Sequence, residues 1–334
     1  MTFLSDKALE RLRSSEAPDL SGTRYTLREL IARGGMGAVY AAEDEKLSRR
    51  VALKVLDTPD ANGELTGRLM REARILAQLE HPGIVPVHDV GVLPGGRVFY
   101  TMKFVEGLRL DRYILQLESM PQRLRLFLRI CDAVAFAHAR GVLHRDLKPA
   151  NIMVGSFGEV LVMDWGLAKI LREDSLSGDE TLLTSGQETN RESDSTQATV
   201  ITGHGTVMGT PGYMSPEQAR GETEQIDRRS DIFSLGALLK FIAIGSAQEK
   251  SGALPRPLLA ICAKATARSR SARYSHVSEL AADVSLYLDG LPVSAYAENL
   301  FERFRRFYKR HEVAILLIAA YLLMRALLLL FFHH

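Results

Sequence analysis

Two neighbouring stretches hold residue types that could do chemistry on a phosphate. ARGGMGAVY, Ala32 to Tyr40, places glycines at 34 and 37 between short apolar runs. In a hairpin, glycines let backbone N–H groups approach phosphate oxygens with no Cβ in the way. RVALKVL follows and carries Lys54, whose ammonium sits two short strands on and can pair with the same oxygens. RLMREARIL then sets Glu72 on a helical period, where its carboxylate could reach Lys54 and hold it, although a solvated surface Glu has the same local signature. Together these residues describe a nucleotide cradle; taken alone, the glycine turn is equally what an ordinary hairpin uses.

Such residues need elements to position them. From Tyr25 to Val105 the apolar runs TLRELIA, AVYAAED, RVALKVL and RVFYTMKFV are separated by Gly, Pro and Asn, with one helical pattern over Leu65 to Leu79. That predicts a sheet with one helix. From Leu108 onward the periods are helical, at Arg123 to Ala139, Ser230 to Ile244 and Val277 to Leu288, interrupted by a strand pair around Ile152 to Val154 and Val160 to Met163. The class is therefore α+β. Arg172 to Thr206 holds twelve Ser or Thr and seven Asp or Glu with few bulky apolar residues, which predicts a mobile surface loop.

Composition sets further bounds. A chain of 334 residues, 46% hydrophobic and 25% charged, can bury a sizeable core. A net charge of +2 argues against nucleic acid as a main partner. Cys131 and Cys262 lie in helical surroundings without metal-type spacing, so they read as buried free thiols in a reducing compartment. The first 22 residues form a polar extension without the apolar core of a signal peptide. Val313 to Phe332, by contrast, is broken only by Tyr321 and Arg325. Its thirteen Val, Ile, Leu and Phe residues contribute roughly −4 to −8 kcal/mol on the insertion scale, against about +3 for a central Arg. We expect residues 313–332 to span a membrane once, with the basic segment 296–312, including ERFRRFYKRH, on the cytoplasmic side.

Four more strings follow in order: HRDLKPAN from His144 to Asn151, DWG from Asp164 to Gly166, GTPGYMSPE ending at Glu217, and DIFSLG from Asp231. In this order and spacing the chain resembles the eukaryotic-like (Hanks-type) bacterial serine/threonine protein kinases, over about Tyr25 to Leu291. The resemblance implies a two-lobed domain over 23–295, with a β-rich lobe at about 25–105, a helical lobe at about 108–295 and an activation loop at 167–213. It implies that Asp146 accepts the substrate hydroxyl proton, Lys148 neutralises the γ-phosphate, and Asn151 and Asp164 hold Mg²⁺ or Mn²⁺. It also implies that Lys54, held by Glu72, meets the ATP phosphates, while Ala32, Gly34, Gly35, Gly37, Val39, Ala52 and the hinge residues Met102, Lys103 and Val105 line the nucleotide. By the same resemblance Thr210 would hydrogen-bond Asp146 and Lys148, and Glu217 would pair with Arg273. The resemblance makes Trp165, Gly166 and Asp231 structural, with Trp165 an apolar anchor beneath the helix bearing Glu72. Arg145 awaits a phosphate from Thr199, Thr202 or Thr206. Protein substrates with Ser or Thr acceptors, and a homodimer for phosphorylation in trans, are the implied partners.

Three departures qualify the resemblance. Ala32 stands where the family has a first glycine, Trp165 where it has Phe, and the chain from Asp231 to Arg273 is shorter than usual near the peptide-docking surface. A silent pseudokinase scaffold is the alternative reading, yet such proteins usually lose a residue equivalent to Lys54, Asp146, Asn151 or Asp164, and all four are present. A small-molecule phosphotransferase would lack GTPGYMSPE.

Overall fold

The computed structural model describes residues 17–34, 37–56, 63–165, 169–170, 212–245, 254–299, 303, 308 and 311–332. The β-branched and aromatic runs near the N-terminus pair into a five-stranded antiparallel sheet of order β1-β2-β3-β5-β4, built from β1 (Tyr25–Gly34), β2 (Gly37–Asp44), β3 (Arg49–Val55), β4 (Val87–Val92) and β5 (Val98–Lys103). Strand alternation decides which way Lys54 faces. Val51, Leu53 and Val55 bury into a satellite core with Tyr25, Tyr40 and Phe99, so Ala52 and Lys54 occupy the opposite face. Against that face lies α1 (Glu64–Gln78), whose Leu69, Ala73 and Leu76 form one buried stripe at helical spacing.

Strand β4 was absent from the expected strands. Its sequence VHDVGV is only partly buried and carries His88, Asp89 and Gly91, because it forms an edge of the sheet and has one neighbour. The other four runs and the single helix form close to the expected positions.

The second lobe surrounds α3 (Met120–Ala139), which opens with a capping box between Ser119 and Gln122. Two short sheets precede and follow it: β6 (Gly107–Arg109), β8 (Ile152–Gly155) and β9 (Val160–Val162) in the order β6-β8-β9, and β7 (Val142–Leu143) paired with β10 (Lys169–Ile170). The remaining helices are α2 (Leu110–Tyr113), α4 (Pro216–Ala219), α5 (Arg228–Ile244), α6 (Arg256–Ala265), α7 (Val277–Leu288) and α8 (Glu312–Phe332). Helix α6 supplies the helical surroundings expected around Cys262, although ten residues containing Pro257 are too short to fix its bounds from the sequence; tertiary packing on α5 and α7 sustains it. Helices α5 and α6 are separated in the chain by residues 245–255, of which 246–253 lie outside the described residues.

Cys131 and Cys262 are free and buried, and burial pushes both thiols up, Cys262 to about 11. The 21 residues of α8 make a rod roughly 30 Å long. Side chains are described only at 315–325 in α8, where Leu316, Leu317, Leu322 and Leu323 are more than half exposed. Among the described residues no helix is long and apolar enough to cross a membrane.

Candidate active site

The cleft between the lobes collects two lysines and three carboxylates. Lys54 on β3 sends Nζ to Glu72 on α1, 2.8 Å from Oε1 and 2.9 Å from Oε2, and the carboxylate is almost fully enclosed. The same ammonium lies 3.4 Å from Asp164 Oδ1, which is half exposed and faces the cleft. Burial by itself would lower the Lys54 pKa; the Glu72 and Asp164 carboxylates outweigh it and raise it. Burial would likewise raise Asp164, and the Lys54 charge more than offsets that, leaving the carboxyl below its ordinary value. Both groups are therefore charged at neutral pH.

Across the cleft the loop after β7 carries the second pair. Lys148 Nζ donates to Asp146 Oδ2 at 2.6 Å, and Asn151 Nδ2 donates to the Asp146 carbonyl at 2.9 Å and to Oδ2 at 3.1 Å. With its amide nitrogen committed to Asp146, Asn151 has its amide oxygen left for another partner. That oxygen and the Asp164 carboxylate are hard donors, of the kind that would hold Mg²⁺ or Mn²⁺.

The loop holds this geometry at some cost. Arg145 has φ 69° and Asp164 has φ 58°, left-handed values that cost a non-glycine residue on the order of 1 to 2 kcal/mol. Asp231 at the start of α5 restrains Arg145 from one side: its carboxylate accepts from the backbone N–H of His144 at 2.9 Å and of Arg145 at 2.8 Å, and from His138 Nε2 at 2.7 Å. Burial would raise Asp231, but the His138 hydrogen bond and positive surroundings keep it lowered. From the other side Gln218 of α4 donates to the Arg145 carbonyl at 2.8 Å. The Arg145 side chain is half-buried, and its Nε has no hydrogen-bond partner among the described residues; burial pulls its pKa down.

Trp165 is fully buried. Its indole N–H donates to the Val162 carbonyl at 3.3 Å, its ring lies 4.6 Å from that of His144, and it shares one continuous core with Leu69, Ala73 and Leu76 of α1. Further from the cleft, Arg273 grips Glu217 at 2.7 and 2.9 Å, and Ser230 adds a 2.8 Å hydrogen bond. Although burial would raise the Glu217 carboxyl, these donors pull it down to about 2.

On the sheet side of the cleft, Ala32 pairs with Val39 and Gly34 with Gly37 across β1 and β2, and Ala52 pairs with Met102 across β3 and β5. A Cβ on Gly37 would stand 2.1 Å from the Val55 carbonyl oxygen, so only glycine lets β2 pass this close to β3. Met102 and Val105 are buried and Lys103 is partly exposed at the end of β5. Gly35, Gly166, Thr199, Thr202, Thr206 and Thr210 lie outside the described residues, as does the activation loop 167–213 apart from 169–170 and 212–213. Sequence reading missed three residues that touch this machinery: Tyr100, His138 and Gln218. Each is distant in the chain from what it holds, so only strand register and helix packing bring it there.

Residues 25–251 match the protein kinase domain family. The serine/threonine-protein kinase PknD of Chlamydia trachomatis serovar L2b is 35% identical over 330 residues, a match covering 88% of this chain and 34% of that protein. PknD of Protochlamydia amoebophila is 34% identical over 309 residues, covering 80% and 30%. The chain thus spans about a third of the length of these curated relatives. Among solved structures, the PknI kinase domain of Mycobacterium tuberculosis superposes with a TM-score of 0.54 at 24% identity, covering 81% of this chain and 98% of that one, a likeness of fold. On its domain match, its relatives and its two-lobed cleft, the chain belongs to the protein kinase family, in the Hanks-type bacterial serine/threonine branch.

Proposed function

We propose that this chain is an ATP-dependent serine/threonine protein kinase tethered to a membrane, with its kinase domain over 23–295 in the cytoplasm. One observation carries the reading: the Lys54–Glu72 pair is closed at 2.8 Å and reaches Asp164, while Asp146, Lys148 and Asn151 are joined in the same cleft. Phosphoryl transfer needs positioning and charge control more than covalent help, and this is a set of fixed charges around an open space.

In that reading the glycine turn and Lys54 bind the ATP phosphates, and the backbone from Met102 to Val105 receives the adenine. Asp146 orients the substrate hydroxyl and accepts its proton. Lys148, 2.6 Å from Asp146, meets the negative charge that develops on the transferred group. Asp164 and the Asn151 amide oxygen would hold Mg²⁺ or Mn²⁺, which when bound neutralises phosphate charge. Arg145, with its unpartnered Nε, receives a phosphate placed by autophosphorylation in the activation loop, in trans within a homodimer. The membrane tether rests on the apolar run 313–332, the continuity of α8 and the basic residues that precede it.

The test is incubation of the full chain in detergent micelles with labelled ATP and Mg²⁺, followed by phosphosite mapping. Phosphate is expected on Ser or Thr between Ser175 and Thr206, and none in Asp146→Ala. Phosphotyrosine as the main product would remove the serine/threonine assignment. Nucleotide binding with no transfer would leave the pseudokinase scaffold.

A further inference from the structure

Tyr100 lies on β5 directly opposite Lys54 of β3, and its ring is buried, 1% exposed. Its hydroxyl donates a 2.8 Å hydrogen bond to Glu72 Oε1, the carboxylate that Lys54 also binds. Glu72, itself 2% exposed, therefore takes three hydrogen bonds from two donors that both stand on the sheet. The Lys54 Nζ also sits 5.8 Å from the centroid of the Tyr100 ring, within reach of a cation–π attraction.

The two donors differ in stiffness. A lysine holds its ammonium on four rotatable carbons, so a carboxylate tied to Lys54 alone could move with it and leave α1 free to swing. A tyrosine has two side-chain torsions, and this ring is buried, so its hydroxyl is fixed by the strand that carries it. A buried phenol also needs a partner, since an unsatisfied hydroxyl there costs more than the bond returns on average. A Leu, Met or Phe would fill the same volume with no such demand. The choice of Tyr joins β5 to α1, and through Glu72 it determines where the Lys54 ammonium rests. Burial and the negative charge of Glu72 push the phenol well above its ordinary pKa, so it stays a donor at any pH the protein survives.

We propose that Tyr100 is a positioning residue that docks α1 on the sheet through Glu72 and so sets Lys54 against the nucleotide phosphates. This rests on the kinase reading above. It also means that α1 has an anchor present before nucleotide arrives.

A double-mutant cycle on the full chain in detergent tests it, with Tyr100→Phe, Glu72→Ala and both together, reading KM for ATP, kcat and melting temperature. Tyr100→Phe is expected to raise KM for ATP about threefold to tenfold with a smaller change in kcat, and the same substitution in the Glu72→Ala background to change KM by less than about 1.5-fold, the non-additivity of residues acting through one contact. Equal fold-changes in the two backgrounds, or an unchanged KM in the native one, overturn the proposal. Should Tyr100→Phe fail to fold, Tyr100→Met fills the volume without a donor and takes its place in the cycle. If the native chain neither binds ATP nor transfers phosphate, the kinase reading fails on its own. Hydrogen exchange then decides the docking claim: faster exchange in Met70–Leu76 of the Tyr100 variant upholds it, and unchanged exchange there sinks it.

Discussion

Trp165 shows what a single side chain does beside a charged site. The aliphatic run before it and the glycine after it imply a buried position, and its ring is enclosed, with its N–H bonded to the Val162 carbonyl. It touches the site through its neighbours: Asp164, one residue earlier, adopts a left-handed backbone and reaches Lys54, and His144 meets the indole ring. A large buried ring here fixes the peptide that aims Asp164. We expect Trp165→Phe to fold and to keep most of its transfer activity, losing about 1 to 3 kcal/mol of stability to an underfilled core. Asp164→Ala should fold as well as the native chain and transfer nothing, because it removes a half-exposed cleft carboxylate and no core. Urea unfolding and a phosphorylation assay on both variants separate packing from chemistry. A folded Trp165→Phe as inactive as Asp164→Ala would place the indole in the chemistry.

Among elements, α4 is too short to hold itself in place and depends on its ties. Four residues make one helical turn, with Glu217 locked to Arg273 and Gln218 braced on the loop after β7. The Glu217 carboxyl falls from 4.5 to about 2 in the folded state, so the unfolded chain binds the proton more tightly. The stabilisation is complete above pH 4.5 and is lost as pH falls towards about 2. Its size is roughly 3 kcal/mol at 1.4 kcal/mol per pKa unit. Glu217→Gln mimics the protonated acid, so the native chain should exceed it by about that amount at neutral pH, with the gap closing below pH 4.5. Urea unfolding of both proteins across pH 2 to 7 measures the gap. A gap constant with pH would mean that the Glu217 charge contributes nothing to the pairing. The buried pair is also why Arg273 is demanding: its removal strands a carboxylate, a loss of about 3 to 5 kcal/mol.

At the scale of the molecule, one apolar core runs from α1 and β5 through α3 to α5, α6 and α7, so both lobes are anchored to the same packing and the cleft lies at their junction. Helix α8 stands apart in character, with its described leucines exposed. We expect Arg303 to His311 in the cytoplasm, 313–332 across the bilayer and His334 outside. The two native cysteines are buried with raised pKa values, so they stay silent in thiol labelling and make His334→Cys a clean reporter. Labelling of His334→Cys by an impermeant reagent from the outer side is the expected result; labelling from the cytoplasmic side alone removes the single span.

The amino-acid sequence alone determined whatever is written in contiguous residues. The glycine turn, Lys54, HRDLKPAN, DWG and the apolar periods of the main strands and helices are local patterns, and local backbone preference and face alternation suffice to read them. Glu72 was legible as a helical carboxylate and Arg273 as a partner for Glu217, although their distances were not. Tertiary structure decided the rest. Tyr100 faces Lys54 because β3 and β5 pair in one particular register; Asp231 spans His138 and the loop after β7 because α5 packs beneath it; Gln218 reaches the Arg145 carbonyl from 73 residues away. Edge strand β4 exists through its neighbours as well, since its sequence has too little periodicity to declare itself, and packing sets the bounds of the ten-residue α6. A hydrogen bond between residues far apart in the chain leaves no mark on either local sequence, because its geometry is set by the packing of everything between them.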